Sequence, residues 1–262
     1  MNLDQPLYWH QGLFLQPQHF QHNDARIEQR ITRTTELVHP YPWGLISLQV
    51  NEAALVAKHC LIDQLSVRFA QGTLAEYPGN AVLESRTLDL SEFSNGRTLY
   101  VGLRRSLPGE ANAQVFEKLA DASRSEARFA VLADAEVVAD RMGNSPEARL
   151  RLMSYVLRLF WEDELEHLSA YELLPIARLE LDGDRARYAA RYTPPCVNLA
   201  ASPVLMQTLR EVRDADNLAR EVAQLWQSRD DWQAMSEAGL AVLRRNQGAL
   251  ARLLGGIQRL LP

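Results

Sequence analysis

The sequence predicts an α+β protein, an N-terminal antiparallel β-sandwich followed by a helical bundle. Three observations carry that expectation. Up to the Tyr-Thr-Pro-Pro-Cys stretch at 192–196, short segments alternate apolar and polar residues with period two, separated by Gly- and Asn-rich turns. Beyond it, apolar residues recur at heptad spacing, as on helices. Near the N-terminus, one further segment has the three- and four-residue spacing of an amphipathic helix. The domain boundary therefore falls at 193/194, with a β-rich region over 1–193 that includes the N-terminal helix and a helical region over 194–262.

In chain order, the first helix is expected after Pro17, whose missing N–H has no intrahelical partner in a first turn. Its stripe is Phe20, Asp24, Ile27, Ile31, Thr34 and Val38, and it ends before His-Pro-Tyr-Pro-Trp-Gly. Strands follow. In LIDQLSVRF, Leu61, Leu65, Val67 and Phe69 share one face, opposite Gln64, Ser66 and Arg68. TLYVGLRR aligns Leu99, Val101 and Leu103, and LLPIARLELD aligns Leu173, Ala177, Leu179 and Leu181. LRLMSYVLRLFW changes phase between Leu152 and Tyr155, which fits a bulged strand and leaves a helix open.

The C-terminal helices begin at Ser202-Pro203, an N-cap followed by proline at the first helical position. Leu205, Leu209, Val212, Ala219 and Trp226 keep heptad spacing, with Asp216 and Ala223 on the seam. After a break near SRDDW the stripe resumes at Leu240, Leu243, Gln247, Leu250, Leu254, Ile257 and Leu261. Each leucine is worth roughly 1.5–3 kcal/mol when buried, more than a two-helix hairpin alone can collect along this stripe. These residues are therefore candidates for an oligomer interface. Gln247 and Asp216 either fix register there or sit at a wet edge.

Composition excludes several classes. The chain has 262 residues and a net charge of −5, which offers no electrostatic footprint for nucleic acid or an anionic membrane. No apolar run approaches the roughly 18–20 residues of a bilayer span, and the first residues do not read as a secretory signal. Cys60 and Cys196 have no metal-ligand spacing. They read as reduced thiols of a cytoplasmic protein, although a bridge between them stays open. No glycine-rich phosphate loop is present.

Candidate chemistry is sparse. His10, His19 and His22, with Asp24, form the one cluster that could seat a metal, because His19 and His22 lie three apart on the expected helix. No HExxH or cysteine pair accompanies them. The competing reading makes Trp9, Leu13, Phe14, Leu15 and Phe20 buried anchors, with Gly12 and Pro17 setting the chain path and His19 bonded in a packed corner. Gln16 and Gln18 then supply amides where the chain turns. Glu162 to His167 holds five carboxylate or imidazole residues in six positions and reads as a solvated loop or helix end. Ser47, Ser66, Ser85 and Ser106 lie in no nucleophile-elbow sequence, and His59 beside Cys60 would point to the opposite face of a strand. Tyr77, Tyr100 and Trp161 form an alternative site, a carbohydrate platform. The expectation is a protein that is not an enzyme and carries no cofactor.

Three separated segments carry a family resemblance. LYWHQGLFLQPQHFQHND, through Trp9, Gly12, Leu13, Phe14, Leu15, Pro17, Gln18, His19, Phe20 and Gln21, closely resembles the N-terminal signature of the TssK family of type VI secretion baseplate subunits. Pro40, Tyr41, Pro42, Trp43 and Gly44 resemble its Pro-Tyr-Pro-Trp-Gly segment, and Pro194, Pro195, Cys196, Ala201, Ser202 and Pro203 its Pro-Pro-Cys junction. The resemblance implies a homotrimer. A β-sandwich shell, similar to the shoulder of a phage receptor-binding protein, would dock on the TssF–TssG wedge, a helical neck would trimerise, and a head would meet TssL and TssM. It also implies that this sequence stops within the neck, short of the head. Gln71 stands where the family often has aspartate before Gly-Thr. A carbohydrate- or receptor-binding module of a phage-like particle is the alternative function.

Overall fold

A computed structural model describes residues 5–92, 96–143, 145–183 and 185–211, together with Arg220 and Ala223. Helix α1 spans Pro17–Val38 and leads into β1 (Gly44–Val50), the short α2 (Glu52–Val56), β2 (His59–Cys60), β3 (Ile62–Arg68), β4 (Leu74–Tyr77), β5 (Ala81–Leu83) and β6 (Arg86–Thr87). There follow β7 (Arg97–Arg104), β8 (Ala113–Phe116), α3 (Leu119–Ala122), β9 (Phe129–Leu132), β10 (Glu136–Val138) and β11 (Ala148–Leu150). The last elements are β12 (Met153–Trp161), β13 (Tyr171–Asp182), β14 (Arg185–Tyr188) and α4 (Pro203–Glu211). Strands in sheets dominate, with few helices, so the α+β expectation holds.

The largest sheet has seven strands in the order β14-β13-β7-β12-β9-β8, with β5 joined to β12. Its centre is built by β7, β12 and β13, which carry apolar residues on both faces and so cannot face water on either. A second sheet, β1-β3-β4, supplies Leu45, Leu65 and Val67 to the same core as Leu99, Val101, Leu103, Leu157, Leu159, Leu174, Ile176 and Leu179. On the far face of the large sheet, Tyr100, Phe160 and Tyr171 form a smaller cluster, with Phe160 and Tyr171 edge to face at 5.0 Å.

The pairing is not wholly antiparallel. β5 runs parallel to β12, and β8 parallel to β9. The second pair is joined across α3, the kind of crossover that parallel neighbours need.

Two phase expectations fail at bulges. Asp63 is an extra residue in β3, since Gln49 pairs with Gln64 while Val50 pairs with Ile62; that turns Ile62 inward in place of Leu61. In β13 the register slips between Pro175 and Ala177. Proline cannot donate to the ladder, and the slip leaves Leu174 and Ile176 in the main core while Leu173 packs with the far-face aromatics. The ambiguous LRLMSYVLRLFW is strand throughout its regular part. Its change of phase is the junction at 151–152, where the chain leaves the β10–β11 hairpin for β12.

The carbohydrate platform does not assemble. Trp161 is buried in the main core and Tyr100 on the far side of the sheet, and Tyr77 packs against the main core, so the three rings share no exposed surface.

At the start of α4, Ser202 is buried and its hydroxyl accepts from the Leu205 N–H at 3.3 Å, as the N-cap reading requires. Leu205 is half-buried and Leu209 exposed. The other interface candidates, Val212, Leu240, Leu243, Gln247, Leu250, Leu254, Ile257 and Leu261, lie outside the described residues.

Candidate functional site

The N-terminal motif was expected to pack inside the shell. It lies on the outside. Trp9 is 51 % exposed, Phe14 82 %, Leu15 52 % and Phe20 53 %, and Tyr8 and Tyr41 are exposed as well. For Phe20 the reason is the orientation of α1.

Helix α1 begins well. Pro17 occupies its first turn, and the Gln16 N–H donates to His19 Nδ1 at 3.0 Å, so a helix residue caps its own entry. At the other end the His39 N–H donates to the Thr35 carbonyl. Between these ends the two faces are reversed. The sheltered face is polar: His22 is the only buried residue of the helix, and Arg26, Gln29 and Thr32 are half-buried behind it. His22 Nε2 lies 3.2 Å from the Gln5 carbonyl, while His22 Nδ1, Arg26 Nε and Gln29 Oε1 are buried without a hydrogen-bond partner. Thr32 rests on Gly72 in the β3–β4 turn, whose φ of +96° and close approach leave no room for a Cβ. The apolar stripe of Phe20, Ile27, Ile31 and Val38, with Leu37 beside it, faces solvent.

The three histidines of the motif do different jobs. His10 Nδ1 lies 3.1 Å from the Gln11 carbonyl, with its ring 5.4 Å from Tyr8. His19 caps the helix and its ring sits 6.4 Å from Trp9, and His22 meets the Gln5 carbonyl. Their bonds diverge, and the described residues contain no group of three ligands that could hold a metal ion. Of the other motif residues, Gly12 turns the chain where the Leu13 N–H meets the His10 carbonyl, and Gln18 is exposed.

The other two motif segments meet each other. The Leu45 N–H donates to the Pro195 carbonyl at 2.8 Å and the Val197 N–H to the Leu45 carbonyl at 2.9 Å, so residues 194–197 form an extra rung on β1. Gly44, at φ +136°, lies so close that a Cβ would fall 2.7 Å from the Pro195 oxygen. Arg68 closes the corner from the side by donating to the Pro42 carbonyl. The cysteine of the second segment is a free thiol, as is Cys60, and burial pushes both thiols up, away from thiolate chemistry. His59 is exposed while Cys60 is buried, which keeps them on opposite sides of the strand.

Of the solvated loop or helix end expected for the acidic run, the structure gives a helix, with Glu162, Asp163, Glu166 and His167 exposed. Glu162–His167 is a 3₁₀ helix, and two of its carboxylates return to arginines of β6 and β7. Asp163 takes Arg97, and that hydrogen bond holds its carboxyl below the usual range; Glu164 takes Arg86 at 2.7 Å and the Trp161 N–H at 2.6 Å. Both guanidiniums flank the Trp161 ring. The run is thus a clamp over one end of the core.

Elsewhere, buried Glu172 stands 3.7 Å from buried Arg128 and accepts from the Gln71 N–H at 3.3 Å. Burial pushes its carboxyl up, opposed by the Arg128 charge. The contact at Gln71 is made by its backbone, so it does not depend on whether glutamine or aspartate stands there. Arg128 also holds Thr73 Oγ1 at 2.9 Å and covers the rings of Phe129 and Tyr155. This pair ties the β3–β4 turn to the large sheet and presents no nucleophile.

The sequence showed two faces on α1 but not which one turns inward. The polar residues at 22, 26, 29 and 32, spaced as regularly as the apolar ones, are the signal that could have raised the question.

Comparison with known proteins gives one consistent picture. The family model described as Bacterial Type VI secretion, EvfL, ImpJ, VasE matches residues 19–254. The type VI secretion system baseplate component TssK1 of Pseudomonas aeruginosa PAO1 is 24 % identical over 214 residues, which is 81 % of this chain and 46 % of that protein. The chain therefore spans about half the length of the curated relative it matches. Among solved structures, TssK in the TssK–TssF–TssG baseplate subcomplex superposes with a TM-score of 0.70 at 20 % identity, over 95 % of this chain and 80 % of that one. A crystal structure of TssK gives 0.68 at 19 %, over 96 % of this chain and 59 % of that one. A chain of a type VI baseplate complex gives 0.67 at 22 %, over 97 % and 82 %. At these identities the likeness is one of fold.

Proposed function

The chain belongs to the TssK family of bacterial type VI secretion baseplate proteins, and from that premise we propose that it is a structural, non-enzymatic baseplate component acting as a trimeric adaptor. Its shell, residues 1–193, is a β-sandwich that docks on a wedge of TssF- and TssG-type proteins. Residues 194–262 form the neck, entered through the corner where 194–197 joins β1. Its place is the cytoplasmic side of the secretion machine, and none of its described helices is long and apolar enough to cross a membrane. The link to the membrane complex through TssL and TssM is assigned to the head that the resemblance implies, and no residue described above carries it.

One observation supports docking most directly. The family signature at the N-terminus presents Trp9, Phe14, Leu15 and Phe20 to solvent at the capped entry to α1, whereas a chain that used them for its own core would hide them. Large aromatic groups on a pre-ordered arm are the usual anchors of a protein–protein contact. Co-purification tests this. The chain should elute with its cognate TssF and TssG proteins, and W9A/F14A should lower that association at least tenfold while the shell stays folded. Undiminished co-elution of the double variant would contradict the reading.

A further inference from the structure

The N-terminal arm that carries Trp9 and Phe14 is folded back on α1, and histidines of the helix hold both of its ends. At the near end the Gln16 N–H donates to His19 Nδ1 at 3.0 Å. At the far end the Gln5 carbonyl lies 3.2 Å from His22 Nε2, 17 residues along the chain. Between them the Trp9 ring sits 6.4 Å from the ring of His19, and the chain turns at Gly12, φ +84°, where the Leu13 N–H meets the His10 carbonyl. The contacts therefore run in opposite order along arm and helix, Gln5 at His22 and Trp9 at His19. We propose that His22 is a positioning residue for docking, a latch that sets residues 5–15 in the shape in which Trp9 and Phe14 meet the TssF–TssG wedge. The latch rests on the docking reading above and adds the group that shapes the docking surface.

Three observations single out His22. It is 9 % exposed and the only buried residue of α1. Burying an imidazole on a helix whose isoleucines meet water is not hydrophobic sorting, and the bond to Gln5 supplies the reason for it. A carbonyl only accepts, so that bond requires a proton on Nε2, while Nδ1 is buried without a partner. The ring thus bonds through one nitrogen. Finally, the arm has little packing of its own. Tyr8, Trp9, Phe14 and Leu15 are exposed, and among the described residues the bonds of His19 and His22 are the side-chain hydrogen bonds that join arm to helix. Without the Gln5 bond the arm would be tied at one end only, and a partner would have to order it on binding, at a cost in affinity.

The two amide side chains separate the two nitrogens. Glutamine places an N–H donor near the position of Nε2, and asparagine near that of Nδ1. On the full chain two quantities are measured: the dissociation constant for the cognate TssF–TssG wedge, and the rate at which chymotrypsin cuts after Tyr8, Trp9 and Phe14, which needs no partner. H22A and H22N should raise both by about tenfold or more with an unchanged far-UV spectrum, while H22Q stays within about threefold of the parent. Asparagine that restores as well as glutamine would overturn the latch, as would H22A that matches the parent in either measurement. Loss of far-UV signal in H22A and H22Q alike would overturn it too, giving His22 to the stability of α1. The two readings fail separately. If W9A/F14A binds like the parent, the docking reading falls; if W9A/F14A weakens binding and H22A does not, the latch alone falls.

Discussion

The core between the sheets and helix α1 solve the same problem in opposite ways. Between the sheets, Leu99, Val101, Leu103, Leu157 and Leu179 are fully buried, and the polar groups are turned outward or clamped, as Arg97 is by Asp163. Along α1 the polar residues are sheltered, three of their atoms lack partners, and Ile27, Ile31 and Val38 meet water. A buried polar atom without a partner costs roughly 1–3 kcal/mol, and an exposed isoleucine forgoes a similar gain. The core is complete within one chain. Helix α1 reaches a favourable state only when something covers it.

That contrast can be broken by mutation, beginning where the effect is greatest. L99A empties a site in the finished region and should cost about 2–5 kcal/mol in urea unfolding. G44A acts where β1 meets residues 194–197. Its new Cβ must push Pro195 away at a positive φ, and a loss of about 1–3 kcal/mol is expected. E172Q changes a slope rather than a level. Because burial raises the Glu172 pKa, the folded state holds the proton more tightly than the unfolded chain. That contribution is full at acid pH and is lost as pH rises from the usual carboxylate value through the raised one. The parent should therefore weaken across that window relative to E172Q, which unfolding at stepped pH will resolve. D163N should have the smallest effect and the opposite sign. The Arg97 bond depresses the Asp163 pKa, so its contribution is present at neutral pH and fades on acidification through the lowered value.

Much of the core side of the comparison was legible in the sequence. Period-two alternation placed Leu65, Val67, Leu99, Val101 and Leu103 correctly, because successive side chains of a strand point to opposite faces and these share the face turned to the main core. It failed at Leu61 and Leu173, where a single extra residue inverts the phase; Pro175 marks the second spot, and no residue type marks the first. Ser202 and Pro203 fixed the start of α4 through cap chemistry that is local to the chain. The candidate site was legible as a motif and illegible as a surface. Trp9, Phe14 and Phe20 were expected inside because large apolar groups usually are, and the sequence of one chain does not say whether their cover comes from itself or from another molecule. His19 shows the same limit on a smaller scale: its spacing from His22 suits a metal, and only the 3.0 Å bond from Gln16 reveals a cap.

The central claim, that α1 is packed for association and not for its own chain's core, is tested most directly by unfolding I27D/I31D in urea at a concentration too dilute for self-association. The account predicts a stability within about 1 kcal/mol of the parent, as for substitutions on an exposed helix face. A loss of about 3 kcal/mol or more, the size expected for charges forced into a buried core, would show that α1 hides its stripe within a single chain and would contradict it.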